Sequence, residues 1–144
     1  MQAKDIMVRD FMTINASVEV HQASKCLLES KFDNLLVYDA DGKVIGTVGI
    51  TEIVELKSGL QVRDIMVRNF ISIHMDATLE EIASFFVMFK DLRQIPVFEE
   101  QKLVGVINRQ AILKALNKQA SLDNQETLFF KYDGAKVAGN TGRV

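Results

Sequence analysis

The chain has a single cysteine, Cys26, and a single proline, Pro96. A lone cysteine has no internal partner, so no disulfide framework supports the fold and nothing points to an oxidising compartment. Long apolar runs are missing too. No stretch approaches the roughly 20 residues that cross a bilayer, and the opening MQAKDIMVRD carries Lys4, Asp5, Arg9 and Asp10 where a secretory signal would be apolar. Neither sign of charge dominates: 17 basic residues stand against 19 acidic ones, for a formal charge of -2. Such a surface lacks the basic excess with which nucleic-acid binders displace counterions. Also absent are a Gly-x-x-x-x-Gly-Lys phosphate loop, a dinucleotide fingerprint and a nucleophile elbow. His21 and His74 are far apart and near no ligand-like cysteine or carboxylate spacing, which predicts surface histidines and no metal. These absences together predict a cytoplasmic protein with no required cofactor, which is neither an enzyme nor a nucleic-acid or membrane binder.

What is present is a repeat. Asp5-Ile6-Met7-Val8-Arg9 recurs unchanged as Asp64-Ile65-Met66-Val67-Arg68, an offset of 64 − 5 = 59. The match continues through Phe11 and Phe70, Ile14 and Ile73, then Val37 and Val97 at 60, and Gly46 and Gly105 at 59 again. Each copy spans roughly 55 residues, the size of one supersecondary unit. The expected division is 1–60, 61–117 and a tail, 118–144. At 144 residues and 48% hydrophobic, the chain has enough apolar material for a continuous core.

Within each copy the hydrophobic period changes in one order. A short extended segment (Thr13-Ile14; Ser72-Ile73) precedes a helix, whose start in the second copy, Thr78-Leu79-Glu80-Glu81, reads as a capping box. That position accounts for both glutamates. Leu79, Ile82, Ala83 and Phe86 form its core stripe, matched in the first copy by Val20, Ala23 and Leu27, with Cys26 beside them as a small buried hydrophobe. Two β-rich runs follow, Leu35 to Tyr38 and Val44 to Val48 about an Asp41-Gly42 turn, then Ile95 to Phe98 and Leu103 to Ile107. Pro96 removes a ladder donor, which predicts an edge strand or a strand start. Short helices close the copies at 51–57 and 110–116. Neither copy has helices enough to cover its sheet, so the two sheets are expected to bury one another.

This order of elements, with the Asp-Ile-Met-Val start, the Ile95-Pro96-Val97 strand and the Gly105-Val106-Ile107 strand, resembles the CBS domain, and two in tandem resemble a Bateman module. The resemblance covers residues 3 to 116. It implies an α+β fold of two βαββα repeats related by a pseudo-twofold, assembling as dimers, with AMP, ADP, ATP or S-adenosylmethionine bound between repeats. The family's ligand signature is a glycine, two apolar residues, Ser or Thr, two variable residues and Asp. The carboxylate accepts the ribose hydroxyls, and the hydroxyl and nearby amides hold phosphate. This chain departs from the signature twice. Gly49 stands at the hydroxyl position and Glu52, one methylene longer, at the Asp position, with Thr51 between them; the second copy has Asn108, Arg109 and Ala111. The position two before the proline, often basic in the family, is Gln94 and, in the first copy, Asn34. The resemblance thus implies a site drawn from Thr13, Ile14, Asn34, Gly49, Thr51 and Glu52 on one side and Ser72, Ile73, Gln94, Ile95, Pro96, Asn108 and Arg109 on the other, the copy with Glu52 being the better candidate.

Phe85, Met88, Phe89 and Leu92 make a second apolar stripe on the second-copy helix, which predicts a homodimer surface. Beyond the repeats, Asp123 to Glu126 could cap a short helix carrying Leu128, Phe129 and Phe130, expected to dock on the module or a partner subunit; Asp133-Gly134 reads as a turn before a glycine-rich end. Two functions follow: a nucleotide-sensing regulatory module acting through dimer arrangement, or a ligand-free dimeric scaffold for another protein.

Overall fold

The computed structural model describes residues 1–53 and 59–134, with side chains as far as Leu122. The first repeat runs α1 (Ala3–Ile6), β1 (Thr13–Asn15), α2 (Val20–Glu29), β2 (Asn34–Tyr38), β3 (Val44–Gly49) and α3 (Ile50–Ile53). The second runs α4 (Val62–Ile65), β4 (Ile73–His74), α5 (Leu79–Met88), β5 (Gln94–Glu99), β6 (Lys102–Asn108) and α6 (Arg109–Gly134). The two sheets have one topology, β1-β2-β3 and β4-β5-β6, each with a parallel and an antiparallel pair. The fold is mixed α+β, and no helix among the described residues is long and apolar enough to cross a membrane.

The helix stripes lie where the period puts them. Val20, Ala23 and Leu27 are buried on α2, and Leu79, Ile82 and Phe86 on α5, with Ala83 and Cys26 packed at the core margins. Thr78 caps α5: its Oγ1 accepts from the Glu81 amide at 3.2 Å, and Glu81 Oε1 accepts from the Thr78 amide at 3.2 Å. His21 and His74 are at the surface.

Three expectations need correction. Pro96 is neither on an edge nor at a strand start: it is the third residue of β5, the middle strand of its sheet. In the first sheet Leu36 donates its amide to the Met12 carbonyl at 3.0 Å. Pro96, its equivalent, has no amide to give, and the Thr13–Leu36 pairing has no counterpart between Ser72 and Pro96. The missing donor therefore falls at the start of the parallel pair, where β4 is one residue shorter than β1. Secondly, α6 does not stop at 116 but continues unbroken to Gly134, so Asp123 to Glu126 start no new helix and Asp133 makes no turn. The side chains of Leu128, Phe129 and Phe130, residues 54–57 of the helix expected at 51–57, and the glycine-rich end all lie outside the described residues.

Thirdly, the repeats do not share one core formed by pressing sheet on sheet. Each has its own apolar cluster, completed by the other's opening segment: Val62 and Met66 enter the first cluster, and Ala3 the second. Five backbone bonds hold residues 1–8 to the second repeat, including Ala3 to Ala77 at 2.8 Å and Val8 to Val106 at 2.7 Å. The equivalent five hold 60–67 to the first, including Val62 to Val18 at 2.8 Å and Val67 to Thr47 at 2.8 Å. Met7 and Met66 reach the glycines Gly105 and Gly46, where a Cβ would stand 2.8 Å from the sulfur and within 3.0 Å of the Val8 or Val67 carbonyl. The duplicated Asp-Ile-Met-Val motif is thus an exchanged arm, and the glycines it meets are small because backbone approaches them.

Candidate functional site

A groove of about 980 Å³ opens between the repeats. The first repeat contributes Asn34, Gly49, Thr51 and Glu52 from the ends of β2 and β3 and the start of α3; the second contributes Gln94 and Arg109. These six of the expected site residues meet there. The other expected residues do not line it. Ile14, Ile73 and Ile95 belong to the core clusters, and Pro96 is fully buried. Thr13 and Ser72 are exposed outside the lining.

Asn108 lines a second groove of about 740 Å³ beside the N-terminal arm. Its Oδ1 accepts from the Ala111 amide at 2.8 Å, the bond of a helix N-cap. That acceptor is occupied in starting α6.

Both repeats bring acceptors to the larger groove, Asn34, Thr51 and Glu52 from the first and Asn69, Asp91 and Gln94 from the second. Glu52 Oε1 accepts from the Gly49 amide at 2.6 Å, which fixes the carboxylate over the β3–α3 junction and leaves its second oxygen without a partner from that bond. Asn34 Oδ1 is buried and has no hydrogen-bond partner among the described residues. Both oxygens flank Gly49: a Cβ there would stand 3.2 Å from Asn34 Oδ1, 3.5 Å from Glu52 Oε1 and 2.9 Å from the Asp33 carbonyl. The last contact gives a physical reason for glycine in place of serine or threonine, since a side chain would press on backbone.

The cations sit on the second repeat and differ in freedom. Arg109 donates to the carbonyls of Lys90 at 2.9 Å and Leu92 at 3.2 Å and lies 5.5 Å from the Phe86 ring centroid. It clamps the loop after α5, which is one residue longer than its counterpart after α2 and so shifts the repeat offset from 59 to 60. Arg93 instead reaches across to the first repeat, 3.4 Å from Asp33 Oδ2 and 3.5 Å from Thr51 Oγ1. Asp33 and Arg93 are equivalent positions, 93 − 33 = 60, each just before its middle strand. Equivalent residues that touch must straddle the axis relating the halves, so this pair marks the pseudo-twofold.

The CBS domain family model matches residues 3–59 and again 62–118. The chain belongs to the CBS domain family. As a tandem CBS pair it is similar to an uncharacterized conserved protein from Pyrococcus horikoshii, with 26% identity over 79% of this chain and 90% of that one and a TM-score of 0.70. It also shares its fold with CBSX2, solved in complex with AMP, at 22% identity, 83% and 98% coverage and a TM-score of 0.73. A CBS domain pair solved with 5'-methylthioadenosine and S-adenosyl-L-methionine has 22% identity, 83% and 98% coverage and a TM-score of 0.71.

Sequence reasoning missed several groove residues of this CBS pair: Asn69, Phe70 and Ile71 after the second arm, and Lys90 and Leu92 in the loop after α5. No periodic signal marks them, because they are on connections. Asp33 was missed as well, although reading the two copies in register would have set it opposite Arg93. The expected dimer stripe needs revision too. Phe85 and Leu92 are partly buried against the second cluster, while Met88 and Phe89 are 65% and 48% exposed. Val87, at 75%, joins them, and its equivalent Leu28 is 80% exposed.

Proposed function

We propose that this CBS pair is a regulatory module that takes up an adenine nucleotide in the larger groove and signals through the arrangement of its subunits. The observation that carries this reading is the carboxylate of Glu52, which lines the groove and is held over the β3–α3 junction by the Gly49 amide. A ribose offers it two adjacent hydroxyls, the donors a carboxylate accepts. Phe70, Ile71 and Leu92 supply apolar wall for a base, and cations stand at the opposite side. The CBS structures solved with AMP and with S-adenosylmethionine support an adenine ligand. The ligand acts by preferring one arrangement of the subunits, since equal affinity for two arrangements would shift neither. Isothermal calorimetry of AMP, ADP, ATP and S-adenosylmethionine against the wild type and Glu52→Ala tests the site. Binding by the wild type is expected to weaken at least about tenfold in the variant, the loss of one hydrogen bond to a charged group; no heat with any of the four sinks the reading.

A second reading is a ligand-free dimeric scaffold. It is favoured by the exposure of Val87, Met88 and Leu28, which are outside the groove lining. In that reading the faces of α2 and α5 join two copies and residues 118–144 present a surface to another protein. Pull-down with and without residues 117–144, and sedimentation of Met88→Asp, separate the two.

A further inference from the structure

The helix α6 divides by charge. Residues 109–122 include Arg109, Lys114 and Lys118 and no acid, whereas 123–130 include Asp123 and Glu126 and no base. We infer that α6 is a docking surface for α6 of a second copy of this chain, the two helices lying antiparallel about Ala120, so that the acidic half of each occupies the groove beside the basic half of the other. The inference deepens the proposed action through subunit arrangement and holds whatever the larger groove binds.

The groove of about 740 Å³ runs between α6 and the N-terminal arm. The arm lines it with Ile6 and Val8, and α6 with Ala111, Lys114, Ala115 and Lys118. The distance between two packed helices depends on the side chains at their contact, and two alanines one turn apart allow a close approach. Lys114 and Lys118 are exposed and form no ion pair among the described residues. Neither has an acid three or four positions away on its own helix. Like charges one turn apart repel, and an acid from outside relieves them. Asp5, the acid in the lining, already accepts from the Gln2 amide at 2.8 Å. The first turn of α6 holds no acid, so this order of charge does not serve the helix's own dipole.

The length of α6 points the same way. Its 26 residues reach about 39 Å, and Ala120, Ser121 and Leu122 are already exposed. The helix nevertheless continues through 123–134, a stretch too short to be stable in water without packing. At helical spacing, positions 111, 115, 118, 122, 125 and 129 follow one line along α6, so a twofold pairing uses the same face at both ends. Centred on Ala120, that pairing sets 114 opposite 126, 117–118 opposite 122–123, and 111 opposite 129. Each lysine then has an acid of the partner subunit within reach, and the space over Ala111 receives the largest residue of the line, Phe129.

Sedimentation equilibrium of the full chain tests this with two double reversals, Lys114→Glu with Lys118→Glu, and Asp123→Lys with Glu126→Lys. The wild type is expected to be a dimer. Each reversal should weaken dimerisation at least about tenfold, since attractions at both ends become repulsions. An equimolar mixture of the two variants should restore the dimer, because each offers the sign the other has lost. Recovery on mixing also separates a broken interface from a failure to fold. A dimer indifferent to both reversals, or one weakened by them and not rescued on mixing, overturns the pairing of α6 while subunit action through other faces stands. A monomeric wild type overturns both.

Discussion

At the scale of single residues, three glycines stand where another part of the chain comes too close for a side chain. Gly46 and Gly105 are contact points for the exchanged arms, and a methyl at either would press on both a methionine sulfur and a carbonyl oxygen. Gly46→Ala and Gly105→Ala are each expected to lower stability by about 1–3 kcal/mol, the usual cost of overfilling a packed site; urea unfolding of each variant measures it. Gly49→Ser restores the family's hydroxyl but sets its Cβ 2.9 Å from the Asp33 carbonyl. It should therefore destabilise the fold and weaken, rather than improve, any nucleotide affinity found by calorimetry. Glu100 is a different case. It holds a positive φ of 54° in the turn joining β5 to β6, where asparagine is at less disadvantage. Glu100→Asn should raise stability by about 0.5–1 kcal/mol, read as a higher unfolding midpoint.

At the scale of elements, the amphipathic helices and alternating strands were legible because each has ten or so residues in one period or a paired run with a turn. Thr78, recognisable from the glutamate three residues on, makes the expected cap, and Thr78→Ala should cost about 1 kcal/mol in denaturant unfolding. The one-turn helices α1 and α4 were not legible, since four residues display no period. Their only mark is an aspartate whose carboxylate accepts from the amide three residues back, Asp5 from Gln2 and Asp64 from Gln61, each at 2.8 Å. Pro96 predicts an edge or a strand start because a missing donor is hardest to place inside a sheet. The missing donor is a property of one side of one residue, and a middle strand accommodates it by shortening a neighbour. The extent of α6 was hidden by Asp123 to Glu126, a set of residues that starts helices well and also sits within them.

For the whole molecule, duplication was plain in the sequence but the manner of joining was not. Two sheets that need cover can obtain it from each other or from a borrowed segment, and composition does not distinguish these. The groove was half legible for a related reason: its first-repeat wall follows a motif, whereas the remainder comes from loops that only the closed pair brings together. The exchange of arms predicts that residues 1–60 and 61–144, expressed apart, each lack part of their core and stay largely unfolded. Mixed, they should regain the far-ultraviolet circular dichroism of the intact chain. A half that folds alone would contradict the reciprocal packing described above.

The pairing of Asp33 with Arg93 carries one more consequence. In an assembly of two identical polypeptides, any side chain close to the symmetry axis confronts its own likeness, acid against acid or base against base. Only after two ancestral halves share one strand of covalent bonds can the sides of that axis diverge into opposite signs. An attraction across that axis is thus something that linkage in tandem makes available and that free association of equals does not.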